Sequence, residues 1–256
     1  MGTGAITEYM DVAQLVLYAF WIFFFLLVLY LHRESKREGY PLETKYKRPI
    51  DVVGFPAMPP PKTFVLPHGG GTRTVPRPEP EPERSDIDIV EDPVGGMPIA
   101  TGSNPMHDGL GAGAYAIRPD VPDLTHEGEP KIVPLRVATD WEVEHRDPDP
   151  RGKPVYGIDG KVGAVVKDIW VDRSEPQVRY FELEADGKRV MLPFTFSRVN
   201  GKDGSVKVRS VKGEHIAGAP GTANPDIITL QEEERVVAYY GGGYLYALDS
   251  RTEPLL

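Results

Sequence analysis

VAQLVLYAFWIFFFLLVLYL, residues 12–31, is the stretch on which the reading of this 256-residue chain turns. It carries no charge, and Gln14 is its one strongly polar side chain. A helix rising about 1.5 Å per residue covers about 30 Å in twenty residues, the hydrocarbon thickness of a bilayer. Globular core helices rarely stay apolar on every face for five turns, so the block predicts a transmembrane helix. A cleaved leader is the competing reading, but it wants basic residues ahead of a shorter apolar core. Glu8 and Asp11 precede this block, whereas Arg33, Lys36, Arg37, Lys45, Lys47 and Arg48 follow it. Cationic flanks stay cytoplasmic, so residues 1–11 are expected on the outer side and everything after Leu31 in the cytoplasm. One span without an intramembrane polar pair forms no channel or carrier by itself.

The rest of the chain is acidic, with 38 Asp and Glu against 29 Lys and Arg and a formal net charge of -9. That balance argues against a nucleic-acid partner, which needs a basic face to displace counterions. Cysteine is absent, which removes disulfides, thiol catalysis and cysteine-ligated metals. The six histidines include no i,i+4 pair and no HExxH, and no P-loop occurs. HGGG at 68–71 resembles an oxyanion loop but has no G-x-S-x-G companion, and is read as a flexible turn. GLGAGA at 109–114 fits a dinucleotide fingerprint in letters only, because a loop-like stretch rather than a strand leads into it. No catalytic apparatus is visible, and the chain is expected not to be an enzyme.

Residues 41–134 hold 18 of the 26 prolines, too many for a continuous helix or a central strand. PRPEPEPERSDIDIVED at 76–92 reads as a solvated linker, while KTFVLP at 62–67 and the apolar residues of 94–99 need a surface to lie on. The segment therefore reads as extended chain laid on a partner, with a mostly disordered linker as the alternative. From about Lys131 the pattern changes to short β runs: 162–171, 178–183, 190–192 and 206–208, punctuated by Asp186-Gly187, Asn200-Gly201 and Asp203-Gly204. About five strands in some 60 residues predict a small antiparallel barrel. Thr229 and Glu232 form a capping box ahead of a helix over 230–240, with Gly241 as its C-terminal glycine and a short strand or hairpin over 244–248. Two polar clusters stand out: Asp120, Asp123, His126, Glu127 and Glu129, and Asp168, Asp172, Glu175 and Arg179. Taken alone, such clusters read most simply as solvated charge.

Several motifs occur together and in order: REGYPLE (37–43), PKTFVLPHG (61–69), TGSNPM (101–106), KIVPLRVA (131–138), DIWVDRSE (168–175) and AYYGGGYLYA (238–247). In these the chain resembles the H subunit of the purple-bacterial photosynthetic reaction centre, over nearly its whole length, with gaps mainly in 44–55 and 76–100. The resemblance implies a single N-terminal transmembrane α-helix, 12–31, and an extended Pro-rich segment, 32–134, packed on partner subunits. It implies a mainly-β cytoplasmic domain, 135–256, formed by a small antiparallel PRC-type barrel with one C-terminal helix. The implied partners are the L and M subunits, with a cytochrome subunit, light-harvesting antenna and membrane lipids as further neighbours. Bacteriochlorophyll, bacteriopheophytin, quinones and non-haem iron are held by those partners, and this chain alone binds no cofactor. The implied place is the bacterial inner, photosynthetic membrane. The implied role is to cap the cytoplasmic face of the L–M pair, shield the quinone sites and conduct protons to the reduced secondary quinone.

By the same resemblance, Glu175 matches an internal carboxylate near the proton path, with Asp172 and Arg179 as its charged neighbours. Asp123 matches an acidic position of the surface entry region. Other members carry histidines nearby, where this chain has Glu127 and Glu129 with His126 beside them. Two other readings are a membrane-anchored PRC-barrel adaptor for another complex and a membrane-tethered hydrolase. The second lacks any nucleophile–base pair.

Overall fold

The structure is a computed structural model that describes Gly4, Ile6, 10–40, 42–43, 49–50, 54–77 and 104–251. The acidic stretch 78–92 and the apolar run 94–99 singled out above lie outside the described residues. Two compact units, 1–86 and 87–256, are built as follows.

In the first unit, helix α1 (Val12–Ser35) runs 24 residues, one turn past the apolar block. Asp11 caps it, its carboxylate accepting from Gln14 N at 2.7 Å. No residue of α1 is buried, and an 18-residue window has a mean hydropathy of 2.5. A helix this long and this apolar on all faces has the length and composition to cross a bilayer. The chain leaving α1 is pinned by two cations. Lys36, buried, donates through Nζ to Pro56 O at 2.5 Å. Arg37 grips both carboxylate oxygens of Glu34 at 2.8 and 2.9 Å and donates to Pro60 O and Val75 O. Two short antiparallel ladders follow, β1 (Leu42–Glu43) with β2 (Pro49–Ile50) and β3 (Lys62–Val65) with β4 (Thr72–Val75). HGGG, 68–71, is the turn between β3 and β4, with positive φ at His68, Gly69 and Gly71. Phe64 and Val65 on β3 are exposed.

The second unit is a seven-stranded sheet with a helix. Its strands are β5 (Ile132–Pro134), β6 (Pro154–Tyr156), β7 (Val162–Asp172), β8 (Gln177–Ala185), β9 (Lys188–Pro193), β10 (Ser197–Val199) and β11 (Val206–Val208). The ladder order is β10-β11-β6-β7-β8-β9, with β5 also on β7. The two ends of that order, β9 and β10, are consecutive in the chain, separated only by the 3-10 turn Phe194–Phe196. Counting β9 and β10 as one bent strand, five strands run round the barrel. The sequence predicts an antiparallel barrel, but β11 pairs β6 in parallel, Val206 opposite Val155. An odd number of strands that reverse at each step must meet in one parallel pair. The sheet faces bury Trp170, Phe181, Leu183, Met191 and Leu192, each no more than 1% exposed. Asp186 and Gly187, φ 49° and 73°, make the tight turn between β8 and β9 that the sequence predicts.

Residues 104–134, read from the sequence as part of the extended segment, contribute Met106 to the core and β5 to the sheet in this unit. A four-residue helix, α2 (Gly213–Ile216), precedes α3 (Leu230–Tyr246). The capping box on α3 is present: Glu232 N donates to Thr229 Oγ1 and Thr229 N to Glu232 Oε2. The helix does not end at Gly241 and 244–248 is not a strand; the helix continues through three glycines to Tyr246. Those glycines are contact points. A Cβ on Gly242 would lie 3.1 Å from Gly113 Cα, and one on Gly243 3.1 Å from Ser210 O. Close packing there outweighs the cost of about 1 kcal/mol per helical glycine. GLGAGA accordingly forms the 3-10 turn Gly111–Gly113 that α3 packs against, with φ 67° at Gly109 and 55° at Gly111.

Candidate functional site

Strands β7 and β8, the loop 118–131 and the first turns of α3 enclose an open cleft of about 330 Å³ in the second unit. Its polar lining consists of Arg118, Asp123, Lys131, Asp172, Arg179, Tyr180, Glu233 and Glu234, three bases, four acids and a phenol.

Asp172 ends β7 and is 1% exposed. Its Oδ1 accepts from Ser174 N at 2.9 Å and Glu175 N at 3.0 Å, which shapes the β7–β8 turn. Its buried Oδ2 has no hydrogen-bond partner, and Lys131 Nζ stands 3.7 Å away. The same ammonium is 3.4 Å from Asp123 Oδ2, so one lysine bridges a buried and a half-exposed carboxylate. Burial works to lower the Lys131 pKa, but Asp172 and Asp123 outweigh it and hold the ammonium above its ordinary value.

On the other wall, Tyr180 donates to Glu233 Oε2 at 2.6 Å, and Arg179 Nη2 lies 3.9 Å from the same oxygen. Burial raises the Glu233 pKa, opposed by the Tyr180 hydrogen bond and Arg179. Burial and the neighbouring Glu233 likewise raise the Tyr180 phenol. A carboxyl that keeps its proton to higher pH than usual, hydrogen-bonded to a phenol, is suited to holding and passing a proton. Nothing in the cleft pairs a nucleophile with a base. Among the described residues no three His, Asp or Glu side chains converge as a metal site.

Of the residues singled out in the sequence, Asp123, Asp172 and Arg179 line this cleft. Glu175 does not: it sits in the exposed β7–β8 turn, accepting from Gln177 Nε2 at 3.1 Å. His126, Glu127 and Glu129 occupy an exposed turn closed by the Leu124–Pro130 bridge, with φ 89° at Gly128. The stem of that turn is Asp123 and Lys131, joined by Lys131 N to Asp123 O at 2.8 Å, so it leads to the rim of the cleft. Glu127 is held below its ordinary pKa by backbone and Thr125 hydrogen bonds. Asp120 is used elsewhere, accepting from Thr229 Oγ1 at 2.6 Å.

Asp168 leaves the cluster that the sequence suggests. Bulges between Val166 and Asp168 and between Trp170 and Val171 break the two-residue alternation along β7. Asp168 turns to Arg136, 3.0 Å from Nη1, which also bonds Glu182 at 2.9 Å. Lys131, Tyr180 and Glu233 were not anticipated as site residues. Glu233 lies in an acidic run in which only the helical phase distinguishes it from Glu232, the capping residue. Lys131 is marked only by directly preceding the first core strand.

Two family models match the chain. Residues 4–137 match the N-terminal region of the photosynthetic reaction centre H chain, and 142–215 match the PRC-barrel domain. The first covers α1, the 104–134 segment and β5; the second covers β6 to β11 and reaches into α2. Anchored by one apolar helix and carrying a PRC-barrel domain, the chain belongs to the H-chain family of the photosynthetic reaction centre.

Proposed function

We propose that this subunit caps the cytoplasmic face of the L–M pair, shields the quinone sites and carries protons toward the reduced secondary quinone. The pigments, quinones and iron then belong to the partner subunits, and the chain is a structural and proton-conducting component rather than a catalyst. The observation that carries the proton-transfer reading is the cleft itself, where Lys131 stands between Asp123 and Asp172, within 4 Å of each. In this reading Asp123, with His126, Glu127 and Glu129 on the turn beyond it, collects protons from water. Lys131 and Asp172 set the potential along the path, Arg179 and Glu233 flank it, and Glu175 hands protons on at the partner boundary. The exposed apolar side chains of β3 and the uncovered α1 are surfaces for partner subunits and lipid.

Glu175→Gln keeps the side-chain shape and removes both charge and titration. In assembled complexes the first electron should reach the secondary quinone almost normally. The second, proton-coupled transfer should slow by about threefold to tenfold, below about 1.4 kcal/mol of barrier. Flash spectroscopy reads both steps. A second-electron rate unchanged from pH 6 to 9 would make Glu175 a solvated turn residue, worth about 0–1 kcal/mol and kinetically silent.

The orientation rests on the Lys and Arg asymmetry about α1. Protease added to inside-out vesicles should digest the β-domain and spare α1. Protection of the domain there, with digestion in right-side-out vesicles, would reverse the proposed topology.

A further inference from the structure

The outward face of β10, β11 and β6 carries a row of cations without counterions among the described residues. Arg198 stands directly across the ladder from Lys207, and Lys207 across from Tyr156. Facing residues in a ladder point to the same side of the sheet, and Arg209, two residues beyond Lys207, shares that side. Like charges placed opposite each other destabilise a strand pair unless an anion lies against them. No anion among the described residues does so. Arg198, Lys207 and Arg209 are exposed, and their side chains have no partner among the described residues. Two loop carboxylates nearby are engaged by other donors: Asp203 accepts from Ser205 N and Oγ at 2.9 and 2.8 Å, and Asp159 from Gly213 N at 3.0 Å.

Two depressions of about 440 and 500 Å³ adjoin along this face and share Arg198 and Lys207 as their common wall. Tyr156 lines one, and Tyr244 with Arg251 lines the other. Among the described residues neither is lined by an Asp or Glu, in a chain of net charge -9. Arg251 is fixed at the end of α3, donating to Tyr244 O at 3.2 Å. The result is a cationic face edged by tyrosines, the side chains that settle at the headgroup level of a bilayer.

We propose that this face docks on the anionic phospholipid headgroups of the membrane in which α1 is anchored. The chain itself argues for that occupant. The apolar α1 ties the domain to a bilayer, so docking is an intramolecular step at high effective concentration. An acidic domain held near a negatively charged leaflet is repelled on every face except one whose cations are uncompensated. Phosphates filling the two depressions would relieve the Arg198–Lys207 repulsion, and the tyrosines would lie at the glycerol level. The inference needs only the membrane anchor, so its failure leaves the proton-transfer reading intact.

The test uses the full chain in lipid nanodiscs. The chain has no cysteine, so Gly201→Cys gives a single labelling site beside the first depression. A Cβ at Gly201 meets open space, so the change is tolerated locally. Energy transfer from a dye at this position to a headgroup-attached acceptor reports docking. Replacing about one-third of the phosphatidylcholine by phosphatidylglycerol should raise the transfer at least about twofold. Salt at about 1 M, where the screening length is about 3 Å, should abolish the rise. Arg198→Glu with Lys207→Glu should also abolish it, whereas Lys188→Glu, a charge reversal at the β8–β9 turn, should not. Equal transfer in both lipids would overturn the proposal. So would a rise that survives the double reversal, or one that Lys188→Glu removes equally, which would reflect net charge alone. Competition of the rise by an acidic peptide without lipid dependence would assign the face to a protein partner instead.

Discussion

Asp172→Asn in the assembled reaction centre should slow the second electron transfer to the secondary quinone by about tenfold or more, at least about 1.4 kcal/mol of barrier. The carboxylate is 1% exposed, and Lys131 Nζ faces its free Oδ2 at 3.7 Å. Asparagine retains an oxygen for Ser174 N and Glu175 N, so the β7–β8 turn is preserved. It removes the negative charge and turns an NH2 toward an ammonium, which raises the local potential and breaks the series from Asp123. Because Asp172 is buried, water does not screen the change as it does at Glu175. If Asp172 serves only to shape the turn, the variant will assemble and run at the normal rate.

Arg136→Ala should cost about 3 kcal/mol, the lower end for a broken buried pair because the guanidinium is itself 37% exposed. For a domain of this size that lowers Tm by about 6–12 °C. Arg136 binds Asp168 and Glu182 through Nη1, Asp226 through Nε, and Pro225 O through Nη2. Glu182 in turn accepts from Trp170 Nε1 at 3.0 Å in the core. Without the guanidinium two nearly buried carboxylates face each other unpaired, and the 225–226 loop loses its tie to the sheet. Arg136→Lys restores charge but not the fork, and should recover only part of the loss. Thermal unfolding of the full chain in detergent measures both. A loss within about 1 kcal/mol for Arg136→Ala would mean the cluster behaves as a surface ion pair.

What could be read from the sequence was local. The apolar block, the Thr229–Glu232 capping box and the Asp186-Gly187 turn each depend on a few neighbouring residues, and each is in the structure. What escaped depends on distant partners. Gly241, Gly242 and Gly243 look like a helix stop until 111–113 and Ser210 are placed against them. The parallel β6–β11 joint follows from closing a five-strand circuit, which no single strand reveals. Asp168 and Asp172 share a face in a regular strand, and the bulge at Trp170 and Val171 that parts them leaves no composition signal. Within the site, Asp172 is legible because the DIWVDRSE motif carries it. Glu233 and Tyr180 were not, because their pairing spans 53 residues.

The most direct measurement of the central claim is flash-induced proton uptake, read with a pH-indicator dye in complexes carrying Glu175→Gln together with Asp172→Asn. The account predicts that uptake and the second electron transfer slow together, by more than either single change produces, while the first electron transfer stays near normal. Proton uptake and second-electron transfer both at the wild-type rate, in complexes that assemble and absorb normally, would contradict it.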